Sequence, residues 1–378
     1  MELTLCGPSA FRFYRIPPQY LALLPEIHAP RKPASWRPLF KTPLLKDFIG
    51  LPLYLLRTSK NSCSRAQNIE DQLWSMELPL GAVQETDHGF DVTSPAMTLL
   101  SLARMKHVSD ARLIMAAYEM CGSFAIFPYR PDMETLLVQA KRGSRATVAG
   151  AWQPVGKPYT TSNDNTGPYE RGESQCVDKP HAVGNLWKRD PLLSLEELNE
   201  FVLRTKGYRG NKRLAKCAAQ VTGICASPFE VQASMLLSLP IKDGGQGFSG
   251  LCNNAPIRLN SKASLISGGK HRCYADLYFE DTVTGSPLDI ECQSQMIHDN
   301  GESYLSDADR AAALQLMGVD VLPLTFDQLF DYNNYRAVCS LIAKKLGVRP
   351  ARRSDDSRKA ETELRHTIFT EWEQMLLP

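Results

Sequence analysis

The fold reading turns on the stretch Arg272-Cys273-Tyr274-Ala275-Asp276-Leu277-Tyr278-Phe279-Glu280, Asp281-Thr282-Val283-Thr284-Gly285-Ser286, Leu288-Asp289-Ile290-Glu291-Cys292-Gln293. Both flanks alternate apolar and polar residues with period two, the pattern of half-buried strands, and the Thr/Gly/Ser-rich middle is a turn. Closing that turn with Asp281 opposite Ser286 puts Asp276 directly opposite Glu291. Ala275, Leu277 and Phe279 then share a core face with Leu288, Ile290 and Cys292. Tyr274, Asp276 and Tyr278 share the other face with Asp289, Glu291 and Gln293. Like charges directly opposite each other destabilise a ladder, so this second face calls for a cation or for solvent.

Working outward, the order is α, three β, α, β, α. Ser227-Pro228-Phe229-Glu230 starts a helix ending near Pro240, and Gly244-Gly245-Gln246-Gly247 makes a turn before the Pro256–Leu259 strand. After the hairpin, a helix over about 302–317 stops at Gly318. Val319–Leu324 reads as a buried strand, and Thr325-Phe326-Asp327-Gln328 as a capping box opening the next helix. Three strands in a row predict an antiparallel meander, and the helical connection predicts a parallel fourth neighbour.

Hard divalent cations take oxygen ligands and keep several waters, so Asp276, Glu291 and the Cys292 backbone carbonyl form a candidate site for Mg²⁺ or Mn²⁺. Glu230 has two readings. It sits three residues after Ser227, where it completes a capping box, and its helix can also bring it to the same carboxylates.

In this order, Glu230, Asp276 within Tyr274-Ala275-Asp276-Leu277, Glu291-Cys292-Gln293, His298, Asp307 and Arg310 resemble the PD-(D/E)XK nuclease superfamily, in particular its very-short-patch-repair endonuclease-like branch. The resemblance spans about Ser194 to Gly347, including the Gly207-Tyr208-Arg209-Gly210 turn and the Gly318-Val319-Asp320-Val321-Leu322 strand. It implies a restriction-endonuclease-like domain, a mixed sheet flanked by helices, and a metal-dependent endonuclease acting on DNA. It further implies that Asp276 and Glu291 bind the metal, that Gln293 orients or activates the attacking water, and that His298 and the Asp307/Arg310 helix support the site. Gln293 stands where the superfamily usually carries lysine, so it can hydrogen-bond but adds no positive charge. His298, with an ordinary pKa near neutrality, is a candidate for the proton transfer. Arg310 is expected to pair with Asp307 or Glu302 on its own helix.

Upstream, Ser194-Leu195-Glu196-Glu197 is a capping box, and between Arg204 and Lys216 lie six bases and no acid: Arg204, Lys206, Arg209, Lys212, Arg213 and Lys216. On a helical hairpin they make a patch suited to nucleic-acid phosphates, or a solvated face. The patch is informative because 43 basic against 41 acidic residues leave a formal net charge of only +2 over 378 residues. That balance excludes a purely electrostatic nucleic-acid binder.

The first part reads as an α/β domain: a short strand at Leu3–Cys6, a Gly7-Pro8-Ser9 turn and helix through Phe13-Tyr14, a strand at Leu51–Leu56, a helix capped by Ser94 with Pro95 at its first position, and a helix from Ser109 to Met120 ending at Cys121-Gly122. Phe90-Asp91-Val92-Thr93-Ser94-Pro95 leading into Leu99-Leu100-Ser101-Leu102-Ala103 resembles AbiEi-like abortive-infection proteins, antitoxins of type IV toxin–antitoxin systems. That resemblance implies a role in phage defence or mobile-element control and a protein partner, a toxin or defence component. No winged helix, usual in that family, is legible. The domain expectation is 1–127 AbiEi-like, 128–191 a polar linker or insertion, 192–347 the nuclease-like domain and 348–378 a charged tail with a helix over about 361–377.

No apolar run approaches the roughly 20 residues a bilayer requires, and Met1–Pro8 lacks the basic start and apolar run of a signal peptide. Ten cysteines without a CxxC pair argue against a zinc ribbon and for reduced thiols, so a cytoplasmic protein is expected. Three functions fit the sequence: a metal-dependent nuclease, a catalytically inactive nuclease-fold protein that binds nucleic acid, and an antitoxin-like interaction protein.

Overall fold

The computed structural model describes residues 3–27, 36–63, 66–143, 150–155, 185–293, 301–350, 352–369, 372, 375 and 376. In chain order, β1 (Thr4–Leu5), α1 (Gly7–Phe13), α2 (Pro18–Leu21), α3 (Trp36–Leu39), β2 (Leu53–Arg57), β3 (Ile69–Leu73), β4 (Val83–Glu85) and β5 (Asp91–Thr93) come first. Next are α4 (Pro95–Ala103), α5 (Asp110–Cys121), β6 (Phe124–Ile126), α6 (Pro131–Gly143), β7 (Gln153–Pro154), β8 (Leu186–Lys188), α7 (Leu195–Arg204), α8 (Asn211–Ala218) and α9 (Pro228–Ser238). The chain continues through β9 (Leu251–Arg258), α10 (Ser261–Ile266), β10 (Arg272–Phe279), β11 (Leu288–Gln293), α11 (Gly301–Leu316), β12 (Asp320–Thr325), α12 (Phe326–Phe330), α13 (Tyr332–Leu346) and α14 (Asp355–Ile368).

The protein is mixed α/β. Its amino-terminal sheet has the order β3-β2-β1-β5-β4, a small antiparallel sheet runs β6-β8-β7, and the third sheet runs β12-β11-β10-β9. In the third sheet β9, β10 and β11 are antiparallel and β12 joins β11 in parallel, as the α-βββ-α-β order predicts. The hairpin register agrees with the expectation at Leu277 opposite Ile290, Tyr278 opposite Asp289 and Phe279 opposite Leu288. Ala275 departs from the expected shared face: it packs with Ala313, Leu314 and Tyr278, apart from the core that takes Leu277, Phe279, Leu288 and Ile290.

Local chemistry sets the helix ends. Ser94 accepts from the Met97 amide, Ser109 from Arg112, and Ser194 and Thr325 each form reciprocal capping boxes, with Glu197 and Gln328. Several elements differ from the sequence expectation, and β9 starts at Leu251 where the sequence predicts a strand over Pro256–Leu259. Helix α10, capped by Asn260, fills the β9–β10 connection. The last helix starts earlier than expected, because Ser354 accepts from the Ser357 amide and Asp355 and Asp356 occupy its first turn, where carboxylates favour the helix dipole. Within 128–191 the described parts form α6, β7 and β8, and Trp187 of β8 is fully buried, its indole donating to the Phe127 carbonyl at 2.8 Å.

One apolar core joins α4 and α5 to α7, α8 and α9, to Leu277, Phe279, Leu288 and Ile290 of the third sheet, and to Ile342 and Leu364 of α13 and α14. A second lies around β1, β2 and Trp187. Arg15, Glu119 and Arg189 lock the two regions together: Glu119 takes two bonds from Arg15, at 2.6 and 2.7 Å, and its carbonyl takes one from Arg189. Among the described residues no helix is long and apolar enough to cross a membrane.

Candidate metal centre

Beyond the Leu277–Ile290 pair, the Asp276 carboxylate takes a backbone donor of the neighbouring strand: its Oδ2 accepts from the Cys292 amide at 2.9 Å. This bond ties Asp276 to the strand that carries Glu291.

Helix α9 supplies Glu230 from its first turn. Ser227 Oγ accepts from the Glu230 amide at 3.2 Å and donates to Glu230 Oε1 at 2.8 Å, while Oε2 accepts from the Ala226 amide at 2.7 Å. The glutamate therefore does cap its helix, but reaches one residue further back than a standard capping box. Asn253 of β9 ties this helix to the hairpin. Its Nδ2 donates to Ser234 Oγ at 2.7 Å and to the Asp276 carbonyl at 3.3 Å, and its Oδ1 accepts from Thr222 Oγ1 at 2.6 Å. Gly223 lets the chain pass this point, since a Cβ there would lie 2.5 Å from the Asn253 carbonyl oxygen.

The acid face of β11 is enclosed, where a half-buried hairpin would leave it open. Asp289 is 0 % exposed and Glu291 8 %. Helix α11 lies over this face: Leu314 packs in the cluster that includes Tyr278 and Val321, and Arg310 pairs with Glu291 and donates to the Tyr274 carbonyl at 3.4 Å. Arg310 thus reaches off its helix to the sheet. The side chains of Glu302 and Asp307 lie outside the described residues, as does His298.

The electrostatics follow from this packing. Burial, then contact with the Glu291 carboxyl and the charges of Glu291 and Asp276, push the Asp289 carboxyl well above the usual range, and Arg310 only partly opposes them. Burial and then the Asp276 charge likewise raise Glu230. Among the described residues neither oxygen of Asp289 and not Glu291 Oε1 meets a hydrogen-bond donor. Buried acceptors are normally satisfied, so these three orphaned oxygens call for a proton or a cation. The Cys225 and Cys292 thiols beside the cluster stay protonated, by burial first and then by the carboxylates around them.

Asp276, Glu230 and Cys292 keep partial exposure, whereas Asp289 and Glu291 are buried. Gln293 ends β11 and is exposed. The oxygen-only donors and orphaned acceptors fit a hard divalent cation in chemistry, with Asp276, Glu291 and the Cys292 carbonyl as the residues to hold it. Among the described residues no set of three or more His, Cys, Asp or Glu side chains converges in a ligating geometry. Waters and the carbonyl would have to complete the shell.

The basic hairpin is divided. Arg204, Lys206, Arg209 and Lys212 are exposed. Arg213 instead pairs with Asp110 at 2.6 Å and donates to the carbonyls of Ala103, Met105 and Val108, and Lys216 pairs with Asp110 at 3.0 Å and Asp243 at 3.6 Å. Those two bases fasten α8 to α5.

Sequence reasoning placed Asp289 on the acid face without making it a site residue, and passed over Asn253 and the Arg310–Glu291 pair. Asp289 had a signal, since it lies two residues before Glu291 and so on the same face. Asn253 and Arg310 had none, because their partners are 23 and 19 residues away. No family model, curated protein or solved structure matches the chain.

Proposed function

We propose that the carboxylate cluster is the centre of a metal-dependent phosphodiesterase of the PD-(D/E)XK kind, acting on DNA in phage defence or mobile-element control. The observation that carries this reading is the tie between the two carboxylate-bearing strands: the Asp276 carboxylate accepts from the amide of Cys292, next to Glu291, and Glu230 of α9 is raised by burial and then by the Asp276 charge. A bound Mg²⁺ or Mn²⁺ would polarise the scissile phosphate and make its water acidic. Asp276 and Glu291 hold that cation. Gln293, exposed at the strand end, orients water or phosphate by hydrogen bonding. Glu230, whose carboxyl favours its protonated form, stores a proton at the cluster. Arg204, Lys206, Arg209 and Lys212 take DNA phosphates.

A second reading is a nuclease-fold protein that binds nucleic acid or a toxin-like partner without cutting. Arg310 on Glu291 and glutamine at position 293 favour it. Cleavage of supercoiled and linear DNA in Mg²⁺ or Mn²⁺ decides between them. Nicking by the wild type, lost at least a hundredfold in Asp276→Ala and Glu291→Ala proteins that still fold, is the expected result. Absence of cleavage and of calorimetric metal binding would leave the binding reading.

A further inference from the structure

A cleft of about 780 Å³ lies remote in sequence from the carboxylate cluster. Its floor is the end of β3 and the chain after it, Glu70 to Met76, beside Tyr54 of β2. Its walls are Arg104, Met105 and His107 after α4, and Tyr208 and Arg209 in the α7–α8 turn. Tyr208 fixes that turn by donating to the Glu77 carbonyl at 2.8 Å, and Gly210 lets it close on Arg104, since a Cβ there would lie 2.9 Å from Arg104 Cγ.

Two features point to a ligand. The first is charge. Arg104 stacks on Trp74 at 4.0 Å and donates to the Leu73 carbonyl at 2.7 Å, and burial first, then the charge of Arg209 across the same cleft, disfavour protonated Arg104. Among the described residues no carboxylate pairs with either arginine. Asp71, the acid nearest along β3, is already held by Arg57 at 2.8 Å. The second is unmet hydrogen bonding. Arg104 Nη1, Trp74 Nε1 and Gln72 Oε1 are buried without partners, all three on residues that line the cleft. The cleft is also polarised: Glu70 and Trp74 lie about 13 Å apart along the chain at roughly 3.3 Å per residue, so an acid marks one end and the guanidinium pair the other.

We infer that this cleft binds a nucleotide, with its 5′-phosphate between Arg104 and Arg209, its nucleoside against Met76, Met105 and Tyr208, and Glu70 available to ribose or base donors. Two guanidiniums matched to one anion are the common solution for phosphate, and a volume inside the usual small-ligand range leaves room for far more than phosphate alone. The flexible thioethers of Met76 and Met105 suit a flat ring without demanding one base. The site stands apart from the proposed cleavage chemistry and does not require it.

Calorimetric titration of the full chain with AMP, GMP, CMP, UMP and inorganic phosphate tests the inference. A short oligonucleotide, with and without a 5′-phosphate, separates the two sources of the ligand. At least one nucleotide is expected to bind more tightly than phosphate. Arg209→Glu should weaken it about tenfold or more with unchanged melting, because Arg209 is exposed, whereas Lys206→Glu and Asp276→Ala should retain it. Binding of free nucleotides assigns a soluble ligand, and binding confined to the 5′-phosphorylated strand assigns a strand end. Nucleotides no better than phosphate, wild-type affinity in Arg209→Glu, or a glutamate-rich peptide that binds in their place would each overturn it.

Discussion

Replacing Asp289 by asparagine isolates the cost of the enclosed acid face. Asp289 is fully buried, neither oxygen meets a donor, and its neighbours Glu291 and Asp276 are also acids, so the folded protein favours the protonated carboxyl. An unfolded aspartate ionises near pH 3.9, and placing a proton on it at pH 7 costs about 4 kcal/mol, at roughly 1.4 kcal/mol per pH unit. Asparagine has almost the same shape and carries no such cost. One of its amide hydrogens can satisfy Glu291 Oε1, a gain of about 1 kcal/mol, although the other then lacks an acceptor, which costs a similar amount. Asp289→Asn is therefore expected to be about 2–4 kcal/mol more stable than the wild type at pH 7. The sign with pH follows from linkage. A carboxyl raised in the folded state binds more protons folded than unfolded, so wild-type stability falls as pH rises from about 4 toward the folded value, and the advantage of the variant should shrink to near zero at pH 4. Urea denaturation in EDTA at pH 4, 6 and 8, with unchanged m-values, measures this. A variant no more stable than the wild type at pH 8, or a gap independent of pH, would refute the account of the cluster. Repeating the series in Mg²⁺ adds a direct link to function, because a cation that binds the ionised cluster should stabilise the wild type.

Other outcomes follow from the same geometry. Arg310→Met removes a cation paired with Glu291 and should cost about 1–3 kcal/mol at pH 7 in urea denaturation, less than for a fully buried pair because Arg310 is partly exposed. Glu119→Ala strands Arg15, and removal of one partner from so deeply buried a pair should cost about 3–5 kcal/mol, read as a lowered urea midpoint. Lys212→Ala should leave melting unchanged while lowering the salt slope of DNA binding by about 1. Arg213→Ala should lower the melting temperature, because that residue holds α8 to Asp110 and three carbonyls.

Much of the site's frame was legible in the chain, because it rests on short-range rules. Alternation through Tyr274–Phe279 and Leu288–Gln293, with a turn of defined length between them, is enough to put Leu277 across from Ile290 and Tyr278 across from Asp289. Ser94, Ser194, Ser227 and Thr325 announce helix starts through bonds that span three residues. Single patterns were harder to weigh. Six bases in a row look equivalent, yet Arg213 and Lys216 are held by Asp110, more than a hundred residues away, and only docking of α8 on α5 distinguishes them from Lys212.

By itself the sequence determined most helix caps and the hairpin register at Leu277–Ile290 and Tyr278–Asp289, since each depends on dihedral preference, side-chain period and hydrogen bonds within a few residues. Only the tertiary structure decided that α11 covers the acid face, that Arg310 rather than solvent meets Glu291, that Asp289 is buried with no donor, and that Arg104 and Arg209 share a cleft. Those outcomes depend on which surfaces pack together across long stretches of chain, and such packing is a property of shape and volume that no local pattern encodes.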